Sequence, residues 1–304
     1  AGPCLRLIKQ ANAHAAPVLA LDMPSGLSAA TGCAPGEAIA ATQTLSFIAL
    51  KPGQITGKAR DLIGELRYAD LGLSPFLAGE NAPMARFDAS FLSHWLKPRR
   101  PTSHKGNHGR LLVVGGDTGT AGAIRMTAEA ALRAGSGLVR VLTHRDNIAP
   151  VLTARPEIMV DELTEASLQS GLAWADVIAI GPGLGQREWG QNALKAVTTS
   201  EKPMLWDADA LNLLAINAEK RQNRIITPHP GEAARLLGIK TSEVESDRLL
   251  AAQQLAARYG GVVVLKGAGT LIASEQDEMA FADVGNAGMA SGGMGDVLSG
   301  IIAS

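Results

Sequence analysis

The chain has 304 residues, of which 28 are basic and 29 acidic, giving a formal net charge of -1 and a hydrophobic fraction of 46%. That length suits two compact units or one larger α/β domain. The near-balanced charge excludes a global field drawing the chain to nucleic acid or to an anionic membrane, so any anion site must be local. Thirty-four glycines stand against four tryptophans, two tyrosines and five phenylalanines, a bias toward tight turns and close approach of backbone to ligand.

In chain order, Ala1 to Gln10 lacks a signal-peptide core, and no apolar run reaches the roughly 18 residues that span a bilayer. Cys4 and Cys33 have no metal-ligand spacing, which fits a reducing, cytoplasmic setting. Both ends are expected to be cut, because the first residue is not methionine and Gly300 to Ser304 is an apolar run without a stop signal. Short aliphatic runs alternate with longer alanine- and leucine-rich segments, which predicts an α/β fold of βα units on a mainly parallel sheet. Strands are predicted over Val18 to Asp22, Leu111 to Gly115, Leu138 to Leu142, Val177 to Gly181, Pro203 to Trp206, Arg224 to Thr227 and Val262 to Lys266. A helix over Ala121 to Ala134 puts Ile124, Ala128, Ala131 and Leu132 on one face, and a second over Ser246 to Tyr259 does so with Leu249, Leu250 and Ala256. The composition shifts between Leu77 and Lys105, ending in Lys97-Pro98-Arg99-Arg100-Pro101-Thr102-Ser103. This predicts a first unit over 1–78, a solvated linker over 79–99 and a second unit over 100–304.

Several glycine-rich bends fall at predicted strand ends. Asp22 closes the first strand before the turn Met23-Pro24-Ser25-Gly26. Gly116 to Ala123 opens a helix and suits either a plain βα turn or the seat of a bulky ligand; its spacing is not that of a dinucleotide fingerprint. Gly181-Pro182-Gly183-Leu184-Gly185 is a tight bend. Asp207 and Asp209 fit either a water-mediated Mg²⁺ site or, for one of them, a helix cap. His229 is presented between Pro228 and Pro230, and Glu232 falls in a first helical turn favoured by the dipole. Lys266 ends a strand before Gly267-Ala268-Gly269-Thr270. The densest run, Asn286 to Gly300, enters an apolar helical pattern in which the amides of Gly292, Gly293, Met294 and Gly295 form an anion hole. Asp296 beside it is either the helix N-cap or a general base toward a substrate hydroxyl. The P-loop pattern is absent, since Gly53 to Ala59 is one residue short and ends in alanine.

The run Asn286 to Leu298, with His104 to Gly109, Gly115 to Ala123, Gly181 to Gly185, Thr227 to Glu232 and Lys266 to Thr270 in order, resembles the ADP-dependent NAD(P)HX dehydratases of the ribokinase-like superfamily. The resemblance covers about residues 100 to 304 and implies a ribokinase-like α/β/α domain. It implies catalysis by Asp296, substrate contacts at Ala123, Gly183, His229 and Asp296, and nucleotide contacts at Lys266, Gly267, Ala268, Gly269, Thr270 and Gly295. It also suggests Glu232 for Mg²⁺. Residues 15 to 75 resemble the end of a Rossmann-like NAD(P)HX epimerase domain, which implies that Asp22 touches substrate and Ser25 helps bind K⁺. The family's upstream substrate loop and catalytic aspartate have no counterpart here, so epimerase activity is not expected. The two halves together resemble the bifunctional NAD(P)H-hydrate repair enzymes of bacteria. The implied reaction takes ADP and Mg²⁺, converts (6S)-NADHX or (6S)-NADPHX to the reduced cofactor, and leaves AMP and phosphate; a homo-oligomer is implied as well. The competing readings are a kinase of a small alcohol, such as a vitamin precursor, and a nucleotide-binding protein without turnover.

Overall fold

The computed structural model describes residues 2–77, 79–80, 82, 84–87 and 89–304. A helix, Pro3–Ala13, precedes a parallel sheet of three strands: β1 (Leu19–Leu21), β2 (Gln43–Phe47) and β3 (Glu65–Ala69), side by side in that order. The remaining strands are β4 (Met84–Phe87), β5 (Arg110–Val114), β6 (Leu138–Thr143), β7 (Met159–Glu162), β8 (Val177–Ile180), β9 (Met204–Trp206), β10 (Arg224–Ile226), β11 (Val262–Leu265), β12 (Thr270–Ser274) and β13 (Met279–Ala282). They form one ten-stranded sheet in the order β4-β13-β12-β11-β10-β9-β8-β5-β6-β7. The run from β7 to β11 is parallel, whereas β12 runs antiparallel to both of its neighbours.

The parallel strands read as unbroken apolar runs because both sheet faces are covered. On β5, Leu112 and Val114 pack into one core cluster and Leu111 and Val113 into another, so alternate side chains serve the two faces. The helix Ala121–Ala134 buries Ile124, Ala128 and Ala131 as its spacing requires, and it stops at Gly135, whose φ of 135 closes the last turn. The helix Arg248–Tyr259 begins after Asp247, whose carboxylate accepts the Leu250 amide at 2.9 Å. Its buried face is Ala251, Ala252, Leu255, Ala256 and Tyr259 together with Arg248, while Leu250 is exposed. Of the expected face, Ala256 is buried and Leu249 packs against the main core cluster, so only Leu250 departs from it, and the charged Arg248 is buried in addition.

The seven predicted strands are present within about one residue of their expected ends. Part of the 79–99 stretch, expected to be a linker, is strand β4, paired in parallel with β13 at the sheet edge. The hairpin β12 and β13 also went unread, as did β2, β3 and β7. Their short runs mix small and polar residues with apolar ones too irregularly to stand out by pattern alone. The first unit is not insulated from the second, since Ile55 packs into the main core cluster of the large sheet. Among the described residues no helix is long and apolar enough to cross a membrane.

The helix Met294–Ala303 crosses Ala121–Ala134 so closely that a Cβ on Gly300 would overlap the Thr127 carbonyl oxygen and stand 2.8 Å from Ala130 Cβ. Overpacking of this kind costs about 1–3 kcal/mol. Gly300→Val is therefore expected to lower the denaturant midpoint of unfolding by that equivalent; an unchanged midpoint would show that the two helices can part freely.

Candidate functional site

Strand order reverses between β5 and β8: the chain leaves β5 toward β6 and β7, then returns to place β8 on the other side. Open α/β sheets bind ligands in the crevice at the carboxyl ends of strands beside such a reversal. The loops after β5 and β8 meet there. The Gly116 amide donates to the Pro182 carbonyl at 3.0 Å and the Asp117 amide to the Gly183 carbonyl at 2.6 Å. Thr120 Oγ1 joins them by donating toward the carbonyls of Asp117 (2.7 Å) and Gly183 (2.9 Å). Gly183 has φ 58, and a Cβ there would stand 2.6 Å from Thr120 Oγ1, so glycine is needed both for conformation and for room. The buried Asn147 holds the first loop from behind through the carbonyls of Gly116 and Asp117. Burial pushes the Asp117 carboxyl up, but the Arg187 guanidinium at 2.8 Å and the Thr118 amide outweigh it, and the net shift is downward.

Two strands further on, Asp207 follows β9 and Lys266 follows β11, and their side chains form an ion pair at 2.8 Å. Asp207 is 2% exposed, so this charge must be paired to exist there. Its other oxygen accepts from the buried Ser299 hydroxyl at 2.8 Å, one turn beyond Asp296 on the helix Met294–Ala303. The next residue, Ala208, has φ 48, an unfavourable conformation for alanine that swings the chain directly into the helix Asp209–Ile216. Lys266 Nζ also lies 3.9 Å from Glu232 Oε2.

The helix Met294–Ala303 presents its amino end to this pair. Gly293, with φ 88, turns the chain into it, and a Cβ on Gly295 would stand 3.5 Å from Lys266 Nζ and 3.6 Å from Asp207 Oδ2. The amides of the first turn lack intrahelical acceptors, and the helix dipole adds partial positive charge. Burial raises the Asp296 carboxyl above its usual range, Asp207 raises it further, and Lys266 opposes both. Glu232 is raised chiefly by burial, with Lys266 and the His229 amide pulling it down.

His229 caps the helix Pro230–Leu237: its Nδ1 accepts from the Gly231 amide at 3.0 Å, while Glu232 Oε2 accepts the His229 amide at 2.8 Å. The acceptor role of Nδ1 leaves the proton of the neutral ring on Nε2. Desolvation and the nearby charges of Lys266 and Arg235 lower its pKa, which favours that neutral form.

The structure thus gathers Gly292, Gly293, Met294, Gly295, Asp296, Lys266, His229 and Glu232 at the carboxyl ends of β9 to β11, with Gly183 on the loop after β8 and Ala123 in the first turn of the helix Ala121–Ala134. Ala123 lies in the helical turn before Met126, whose Sδ stands 2.5 Å from where a Cβ on Gly293 would be. Asp296 is not the N-cap, because Gly293 holds that position. Nor does Asp209 cap the helix it begins; it ties that helix to the second glycine loop by accepting the Gly185 amide at 2.8 Å. Glu232 is committed to the His229 amide, and among the described residues no group of three or more His, Cys, Asp or Glu side chains is placed to hold a metal ion. Asp22 and Ser25 lie apart, at the end of β1 in the small sheet. Asp22, at φ 66, pairs with Lys51, accepts the Phe47 amide and has its carboxyl lowered, first by Lys51.

Sequence reasoning missed Ser299, Asp117 with Arg187, and Asn147. Ser299 was within reach, as it sits three residues after Asp296 on one helical face; Asn147 left no local signal, because its partners are 30 and 31 residues away.

The family model for NAD(P)H-hydrate dehydratase matches residues 111–304, and that for the YjeF-related protein N-terminus matches residues 1–53. The chain is 67% identical over 297 residues to a bifunctional NAD(P)H-hydrate repair enzyme of Escherichia coli (strain K12). That match takes in 98% of this chain, and the chain spans 58% of that relative's length. An ADP-dependent (S)-NAD(P)H-hydrate dehydratase of Neisseria meningitidis serogroup B is 41% identical over 236 residues, 75% of this chain and 79% of that one. Among solved structures, a ribokinase-like superfamily protein from Enterococcus faecalis superposes with a TM-score of 0.67 at 34% identity, over 74% of this chain and 81% of that one. An ADP/ATP-dependent NAD(P)H-hydrate dehydratase from Bacillus subtilis, co-crystallized with ATP/Mg²⁺, gives 0.63 at 31% identity, over 72% and 80%. The α/β fold is therefore ribokinase-like.

Lys266 is the cation that lowers Asp296. In Lys266→Met the Asp296 carboxyl is expected to titrate at higher pH than in the unsubstituted chain, followed by its carboxyl carbon resonance; a midpoint that stays or falls would remove Lys266 from the electrostatics of that residue.

Proposed function

Because the chain belongs to the NAD(P)H-hydrate dehydratase family, we propose that it repairs hydrated nicotinamide cofactors, dehydrating (6S)-NADHX or (6S)-NADPHX at the expense of ADP and leaving AMP and phosphate. The observation that carries this reading is the convergence of Asp296, the amino end of its ten-residue helix and the Lys266–Asp207 pair on a single cleft. An acid whose pKa is raised, next to amides aimed at developing negative charge, is the equipment for moving a phosphoryl group onto a hydroxyl.

In the proposed reaction the Asp296 carboxylate takes the proton of the ring hydroxyl, whose oxygen bonds to the β-phosphorus of ADP as the bond to AMP breaks. The amides of Gly292 to Gly295 meet the charge on the transferring oxygens, and Lys266 Nζ supplies a full positive charge behind them. The C–O bond to the new phosphate ester then breaks, driven by the ring-nitrogen lone pair, and loss of a proton from the adjacent ring carbon restores the dihydropyridine. Mg²⁺ bound with the nucleotide would supply further charge neutralisation on the phosphate oxygens. The Glu232 carboxylate is engaged in accepting the His229 amide. His229 offers its Nε2 proton to the substrate, and Ala123 and Gly183 leave room for the nicotinamide ring. Lys266 to Thr270 with Gly295 receive the nucleotide.

For the first unit we assign Asp22 to the substrate of an epimerase-type site and Ser25 to K⁺, on the resemblance of the turn alone. We place the boundary between the units before β4, because that strand pairs with the large sheet. The unpaired thiols of Cys4 and Cys33 fit the cytoplasmic setting, and the homo-oligomer expected of the family stands as part of this proposal.

Absorbance of the reduced nicotinamide should recover when the chain meets NADHX, Mg²⁺ and ADP, with phosphate released in step; a stable phosphorylated product instead would mark a kinase without elimination. The pH profile follows from Asp296. Its carboxyl is raised, so the ionised base is lost as pH falls through a value above the ordinary carboxylate range, and the acid limb of kcat should lie there. Asp296→Asn should abolish that limb and lower kcat by about 10²–10⁴-fold, the usual worth of a general base, while ADP affinity is kept. An unchanged rate would end the base assignment.

A further inference from the structure

The nucleotide strip Lys266 to Thr270 is anchored from behind by two residues outside the cleft. Arg248, at the start of the helix Arg248–Tyr259, is 1% exposed. Its Nη2 donates to the carbonyls of Lys266 at 3.0 Å and Leu265 at 3.3 Å, Nη1 to Glu245 Oε1 at 3.2 Å, and Nε to Thr56 Oγ1 at 2.8 Å. A guanidinium is suited to this work, because its rigid fork serves several acceptors at once and it stays charged when buried. Gly267, with φ 138, makes room: a Cβ there would stand 2.9 Å from Arg248 Nη2.

Thr56 comes from the first unit and is fully buried. While accepting from Arg248, its hydroxyl donates toward the Gly269 carbonyl at 3.0 Å, with the Ala268 carbonyl at 3.3 Å. The Gly57 amide donates to the Ala268 carbonyl at 3.0 Å, and a Cβ on Gly269 would overlap the Ile55 carbonyl oxygen. The carbonyls of Lys266, Ala268 and Gly269 are therefore all turned toward this latch. In a trans peptide the N–H points opposite to the C=O, so fixing the carbonyls of Lys266 and Ala268 aims the amides of Gly267 and Gly269 away from it. Neither amide has an acceptor among the described residues.

We propose that Thr56 and Arg248 are positioning residues for the phosphoryl donor: through them the first unit forms the back wall of the nucleotide site of the second, and holds the amides of Gly267 and Gly269 and the ammonium of Lys266 where a nucleoside diphosphate is received. This rests on the nucleotide reading of the strip given above. The role is one of orientation, since neither side chain reaches the cleft.

Thr56→Val keeps the volume and removes the hydroxyl, Thr56→Ser restores it, and Arg248→Lys keeps a charge without the fork. ADP binding is measured by calorimetry, and KM for ADP and for NADHX, with kcat, by recovery of nicotinamide absorbance. Thr56→Val is expected to weaken ADP binding and raise its KM by about tenfold, the order of one hydrogen bond to a charged group. The KM for NADHX should hold, Thr56→Ser should recover most of the loss, and Arg248→Lys should show the same split. A Thr56→Val chain that binds ADP as tightly as the unsubstituted one overturns the positioning role alone. So does a loss spread equally over both KM values and matched by a lower melting temperature that Thr56→Ser does not repair. Absence of ADP binding by the unsubstituted chain overturns the nucleotide reading of the strip itself.

Discussion

One ammonium group compensates the acids of this cleft. Lys266 Nζ is 2.8 Å from Asp207, 3.9 Å from Glu232, and close enough to Asp296 and His229 to move the titration of both. The group is partly buried and faces a nearly sealed carboxylate, where water screens little and an unpaired charge costs several kcal/mol. Asp207 is paired with Lys266 and accepts the Ser299 hydroxyl, and its proximity raises the Asp296 carboxyl. Asp296 is thus raised first by its burial and then by Asp207, with Lys266 holding the rise in check.

That arrangement depends on backbone more than on side chains. The registers align Trp206 with Ile226 and Ile226 with Val263, so Lys266 leaves β11 two residues beyond the level at which Asp207 leaves β9, and the long lysine side chain spans that offset and the intervening β10. The chain must then leave each strand abruptly. Asp207 leaves through the strained Ala208 and Lys266 through Gly267 with φ 138, and the helix bearing Asp296 is entered through Gly293 with φ 88. Gly181 contributes from β8: it adopts φ 126, and any Cβ there would overlap the Asp207 carbonyl. Strain of this kind persists where the surrounding structure over-determines it, and here the surroundings are the hydrogen-bonded ends of the sheet.

Much of this was legible in the chain itself. Apolar runs at βα spacing mark six strands of the large sheet that carries the cleft, and the run from Asn286 marks the helix entrance because glycines before an apolar period have few other uses. Individual roles were harder to read. Asp296 fitted a cap as well as a base until Gly293 was seen to occupy the cap position, and Asp207 could be told from Asp209 only by their partners, which lie 59 residues away for one and 24 for the other. Arg248 was unreadable for a different reason. A charged residue at a helix start is ordinarily solvated, and its burial is dictated by Thr56, 192 residues earlier.

The latch at Thr56 bears on why the two units share one polypeptide. A βα loop that binds a nucleotide through its own amides gains affinity when those amides are already aimed, because less ordering is left for the ligand to impose. In a free-standing domain such aiming must come from the loop's own neighbours. Here Ile55, Thr56 and Gly57 supply it from a different unit, and Ile55 is sunk into the main core of the large sheet. The contact is therefore covalently tethered as well as packed, which keeps the back wall at high effective concentration. A unit attached in this way serves the neighbouring site whether or not it carries out chemistry of its own, so its retention does not depend on the activity of the Asp22 turn.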